Sequence, residues 1–147
     1  YILIIPAKFD DDYIKKIYGD ISDFTISKNT HRTLQEAEYA FICSGTATLE
    51  AALIGTPFTL SYIAKKFDFF ICKLFVKLNY IGLANIFFEK MGKSALHSEF
   101  LQENVTVDNL LNDYNNLDKK SFFNNSKLLR DYLKNGSSQN VAKIIQN

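Results

Sequence analysis

Residues 43–57 read CSGTATLEAALIGTP, and the fold turns on how this stretch is read. An apolar run at residues 39–43 stops on the small polar elbow Ser44-Gly45-Thr46. A helix-forming segment follows, and Gly55 and Pro57 end it. A buried strand that feeds a polar turn and then a helix is one βα unit of a parallel sheet. Gly55 suits the left-handed position just past a helix, and Pro57 bars continuation.

The same alternation runs outward from this unit. Residues 1–6, YILIIP, form a continuous apolar run, as in a strand covered on both faces. Asp10–Asp12 precede apolar positions at helical spacing (Tyr13, Ile14, Ile17, Tyr18), and Gly19 stops that helix. Residues 24–27 read as a short strand. Asn29 or Thr30 caps the next helix, and residues 58–63 form a further strand. From Val107 the chain turns polar and rich in Asn and Lys. It reads as three helices, at 107–115, 118–134 and 137–145, with Gly136 between the last two. The expected class is α/β: a Rossmann-like parallel sheet flanked by helices, with a helical C-terminal tail, in one domain over residues 1–147. In such sheets ligands bind at the carboxyl ends of the strands. The chain opens at Tyr1 already in a strand pattern and without an initiator Met, so we expect a piece of a longer protein.

Bulk properties narrow the function. The chain has 147 residues, 47% of them apolar, and a net charge of +1. That balance and the scattered basic residues exclude the electrostatic footprint of a nucleic-acid partner. Cys43 and Cys72 show no metal spacing and read as buried thiols of a reducing compartment. His31 and His97 are far apart, with no carboxylate pattern beside them. Asp10–Asp12 is first-turn helix charge rather than a cation site. Neither a metal nor a cofactor is expected.

The elbow has the chemistry of an anion site. The first N–H groups of a helix lack internal partners and carry roughly half a positive charge. Gly45 has no Cβ to block a phosphate, and Ser44 and Thr46 add hydroxyls. Glu50, one turn on, could accept hydrogen bonds from a sugar diol set further out. A nucleoside diphosphate satisfies both. The alternative is plain capping, with Ser44 as the cap and Glu50 as first-turn charge.

A longer pattern surrounds the elbow. SGTATLEAALIGTP is followed by Tyr62, by the aromatic segment FDFFICKLFVKLNYIGLANI with Val76-Lys77 inside it, and by YIGLAN at residues 80–85. FLQENVTVDNLL and SSQNVAKII come later. This series resembles the C-terminal half of lipid-A-disaccharide synthases over most of the chain. The resemblance implies the nucleotide-sugar half of a two-domain, B-type glycosyltransferase. It implies metal-independent transfer of 2,3-diacylglucosamine from UDP to 2,3-diacylglucosamine 1-phosphate. On matching positions Ser44, Gly45 and Thr46 would hold the diphosphate, and Glu50 the ribose hydroxyls. Tyr62 matches the tyrosine after the family's last strand, and Asn85 and Gln139 fall on matching polar positions that would face the nucleotide or the domain interface. Implied partners are the UDP-sugar donor, the lipid acceptor and an N-terminal domain that supplies the catalytic base, so no catalytic residue is assigned here. Three departures stand out. Ile63 replaces a basic residue, with Lys65 and Lys66 a little later. Ala84 replaces the proline before Asn85. The glycine-serine-arginine loop that opens the family's C-terminal half is absent.

Within the aromatic segment, Phe67, Ile71, Leu74 and Leu78 share one helical face. Lys66, Lys73 and Lys77 form a stripe, and Phe69, Cys72 and Val76 a second apolar face. Burial between neighbouring elements, docking on an anionic membrane surface through Phe69, Lys73, Val76 and Lys77, and a homodimer contact are all open. The implied location is the cytoplasm, at the inner face of a Gram-negative inner membrane. Competing readings are another UDP-sugar enzyme (a peptidoglycan-precursor glycosyltransferase or an epimerase) and a non-catalytic interaction domain.

Overall fold

Every strand pairing in the computed structural model, which describes residues 1–43, 45–64 and 79–134, is parallel. The chain runs β1 (Ile2–Ile4), α1 (Asp11–Tyr18), β2 (Thr25–Ser27), α2 (Thr30–Glu36), β3 (Ala40–Ile42) and α3 (Gly45–Ile54). It continues through β4 (Phe58–Tyr62), α4 (Leu83–Lys90), β5 (Glu99–Leu101), a 3-10 turn (Gln102–Asn104), α5 (Val107–Asn115) and α6 (Lys119–Leu133). The class is therefore α/β with helices over parallel strands, as the alternation predicts. The ladders form two strips, β1-β2 and β3-β4-β5, with β4 central in the second.

Local chemistry starts most of these helices. The side chains of Asp10, Asn29, Thr106 and Asp118 accept from backbone N–H groups of Tyr13, Arg32, Asn109 and Ser121. Each satisfies a donor that the first turn cannot. At the far end of α3, the N–H groups of Gly55 and Thr56 both reach the Ala51 carbonyl, and Gly55 has φ +98°. The Arg130 guanidinium of α6 donates to the Leu53 carbonyl at 2.9 Å. Space around the Cβ position of Gly55 is ordinary. A Gly55→Ala substitution is thus expected to cost about 1–2 kcal/mol through backbone strain alone, read as a shift in the urea midpoint at unchanged slope.

The core joins β3 and β4 to α3, α4 and α6 through Ile42, Ala51, Phe58, Ala84, Phe88 and Leu129. Ala51, Ala52 and Ala84 are fully buried. Their small side chains let α3 lie close against its neighbours. On α5, Asp113 gathers hydroxyls from three places. Tyr39 donates to Oδ2 at 2.8 Å, Thr59 also donates to Oδ2, and Ser98 donates to Oδ1. Burial, opposed by Thr59 and reinforced by the Asp113 carboxylate, pushes the Tyr39 phenol well above its usual range, which keeps it a donor.

Several expectations need correction. The strand in residues 1–6 is not covered on both faces: Tyr1 is 96% and Ile2 50% exposed, whereas Ile5 is buried. Among the described residues β1 pairs with β2 alone, and its contact with the core is through Ile4. Phe41 is likewise exposed, because β3 is an edge of its strip. Cys43 is an exposed free thiol rather than a buried one, since the strand ends one residue earlier at the mouth of the elbow. Cys72, the 66–78 face pattern and the helix expected at 137–145 lie outside the described residues.

Candidate functional site

The elbow sits at the carboxyl end of β3, where Ile42 gives way to Cys43 and α3 begins at Gly45. A Cβ on Gly45 would lie 2.7 Å from the Ile81 carbonyl oxygen. Only glycine fits there, because the 79–82 segment presses on the head of α3. Thr48 ties the two together: its hydroxyl donates to the Gly45 carbonyl at 2.6 Å and lies 3.5 Å from the Ala84 N–H in the first turn of α4. The amino termini of α3 and α4 are thus neighbours, and both present positive dipole ends.

Thr46 is exposed and Glu50 half-buried, whereas Thr48, Ala51 and Ala52 are buried. Residues four apart share a helical face, so a hydroxyl and a carboxylate stand in line on the open side of α3. A capping box would need its acid nearer the start of the helix. With Gly45 the first helical residue, the third, where a capping box needs its acid, is Ala47. Glu50 lies a full turn deeper. Tyr62 ends β4 at the same carboxyl end of the sheet and is 42% exposed.

Asn85 is placed differently from the polar, ligand-facing position expected of it. It is fully buried. Its Nδ2 donates to the His97 carbonyl at 3.0 Å and to Glu99 Oε1 at 2.8 Å. Its Oδ1 accepts from the Leu96 and His97 N–H groups at 2.8 and 3.2 Å. Its polar capacity is spent on the fold. Ser44, Gln139, Phe69, Lys73, Val76 and Lys77 lie outside the described residues.

Two residues of the β5 region, missed in the sequence, frame the site. Glu99 Oε2 accepts from the Ile81 N–H at 2.9 Å, and Oε1 accepts from the Gly82 N–H at 3.1 Å. Gln102, at φ +55°, turns its amide onto Ala64: Oε1 accepts from the N–H at 3.0 Å and Nε2 donates to the carbonyl at 3.2 Å. No local sequence signal marked either residue, because their partners lie far away in the chain. Behind Glu99 lies His97. Its Nδ1 is 3.0 Å from the Ser98 carbonyl and its ring packs on Phe58. Burial, partly offset by that carbonyl and by Asp113, lowers its pKa to about 4. A Cβ on Gly82 would come within 2.9 Å of both the His97 ring and Glu99 Oε1.

A cleft of about 720 Å³ runs beside β5 past Tyr80, Glu99, Asp113 and Phe122 and contains none of Gly45, Thr46, Glu50 or Tyr62. Its carboxylates are occupied by internal hydrogen bonds, so the elbow is the stronger candidate.

Comparison with known proteins bears on the choice. The sequence profile of the lipid-A-disaccharide synthetases matches residues 2–146. The chain is 58% identical over 144 residues to a lipid-A-disaccharide synthase of Campylobacter jejuni (strain RM1221), covering 98% of this chain and 39% of that protein. It is 49% identical over 150 residues to one from Helicobacter pylori (strain J99), covering 97% and 42%. For one from Helicobacter acinonychis (strain Sheeba) the identity is 47% over 152 residues, covering 98% and 42%. The chain therefore spans 39–42% of the length of these relatives. No solved structure gives a significant match. On this footing the chain belongs to the lipid-A-disaccharide synthetase family.

Proposed function

We propose that this chain is the donor-binding part of a glycosyltransferase that moves 2,3-diacylglucosamine from UDP to 2,3-diacylglucosamine 1-phosphate, yielding the lipid A disaccharide and UDP. The observation that carries the reading is the head of α3: it opens at the carboxyl end of a parallel strand, with exposed Thr46 and half-buried Glu50 on one face. Family membership supports the substrate class.

In this reading the pyrophosphate rests on the first N–H groups of α3, with Ser44 and Thr46 as hydroxyl donors and Gln139 as a further polar contact. Glu50 accepts from the ribose diol, and Tyr62 flanks the nucleotide from the end of β4. As the sugar leaves, its bond to the UDP oxygen breaks and a bond to the acceptor hydroxyl oxygen forms. Negative charge gathers on the departing phosphate, where the α3 dipole is worth most. The acceptor proton passes to a base outside this chain. Asn85 serves by holding the segment beneath the elbow.

Calorimetric titration of the intact protein with UDP tests the reading. Glu50→Ala is expected to weaken UDP by about tenfold or more, about 1.4 kcal/mol for the lost diol contacts. Equal UDP affinity in a folded Glu50→Ala variant, or no UDP binding by the folded wild type, would overturn it.

A further inference from the structure

We propose that Glu99, on the strand two removed from the elbow, is the positioning residue that sets the elbow's shape for the nucleotide. The inference rests on the donor-site reading above. The Glu99 side chain is 8% exposed, and its carboxylate is fully engaged. Oε2 takes the Ile81 N–H, and Oε1 takes the Gly82 N–H and the Asn85 amide. Those bonds fix one peptide segment, and its Ile81 carbonyl occupies the space a Cβ would need at Gly45. The mechanical line is short: β5, carboxylate, Ile81–Gly82, Gly45, first turn of α3.

The register explains why this strand does the work. β5 pairs with β4 through Leu60↔Glu99 and Tyr62↔Leu101, so Glu99 is fixed to the strand that ends in Tyr62. Three residues on, at the start of the 3-10 turn that follows β5, Gln102 grips Ala64. Ala64 and Ile81–Gly82 are thus held by β5 and the turn after it. An anion site on a helix terminus needs its backbone amides held still, and supporting hydrogen bonds behind the contacting atoms do that. A carboxylate is suited to this one: it can accept from two adjacent N–H groups at once, whereas a carboxamide must turn its NH2 toward one of them.

The test is a double-mutant cycle on UDP affinity in the intact protein, measured by calorimetry with melting temperature as the fold control. Glu99→Gln and Gly45→Ala are each expected to weaken UDP by about tenfold. Combined, they should lose little more than either alone, because both break the same line. Glu99→Asp, which keeps the charge, should recover part of the affinity. A folded Glu99→Gln with wild-type UDP affinity overturns the inference, and so does a fully additive double variant. In either case continued loss in Glu50→Ala leaves the donor-site reading standing, and absence of UDP binding by the wild type removes both. If the Glu99 variants do not fold, the wild type still decides. On UDP titration the backbone amide resonances of Ile81 and Gly82 should move together with that of Gly45, and stationary Ile81 and Gly82 resonances overturn the proposal.

Discussion

Asn85→Ala is expected to destabilise the fold by about 4 kcal/mol, counting about 1 kcal/mol for each of four lost partnerships, with more where a buried group is left unpaired. The wild-type amide satisfies two backbone N–H groups (Leu96, His97), the His97 carbonyl and Glu99 Oε1. The site is fully buried, so water cannot replace these bonds without opening it. Urea unfolding of the wild type and the variant reads the cost as a drop in midpoint at constant slope. A loss below about 1 kcal/mol would contradict the packing described here. A residue whose main role were to touch ligand would do the opposite, leaving stability intact and lowering affinity alone.

The second large effect depends on pH. His97 in the fold titrates at about 4, against an ordinary value of 6.5, because burial disfavours the cation. Glu99, with Oε1 4.0 Å from Nε2, and Asp113 are the acids near the ring. Above pH 6.5 the histidine is neutral in both states and costs nothing. As pH falls below 6.5 the unfolded chain takes up the proton first, and folding loses ground. The penalty grows until the folded form also titrates near pH 4, where it reaches about 3 kcal/mol at about 1.4 kcal/mol per pH unit. His97→Phe keeps a flat ring against Phe58 and removes the titration. The wild type should therefore lose about 3 kcal/mol more than His97→Phe when urea melts at about pH 7 and about pH 4 are compared. Parallel stability curves would show that the imidazole is not held neutral.

The elements nearest the elbow were the most legible. A run of apolar residues, a polar turn, and Gly55 before Pro57 each have one physical meaning, and α3 lies where they put it. Asp10, Asn29 and Asp118 announced their helices by chemistry that acts within three residues. α4 and β5 were not legible, for two reasons. Gly82 caps α4 without a side-chain bond, so the helix merges into the apolar run before it. β5 has only three residues, too few for any period to show. The exposed faces of β1 and β3 were misread because an apolar run does not reveal which strand lies at an edge. Of the candidate site, Gly45, Thr46 and Glu50 were nameable as candidates from local sequence. The roles of Glu99 and Asn85 could not, since they depend on β5 lying against β4, a pairing between residues about 40 positions apart in the chain.

Gln102 on Ala64 and Glu99 on Ile81 and Gly82 are paired moorings three residues apart, one in the 3-10 turn and one on β5. Each mooring runs from a side chain to a main-chain group. A peptide N–H is present whatever side chain its residue carries, proline excepted. Positions 64 and 81 are therefore free to change letter without slackening the moorings, whereas the burden of identity falls on positions 99 and 102.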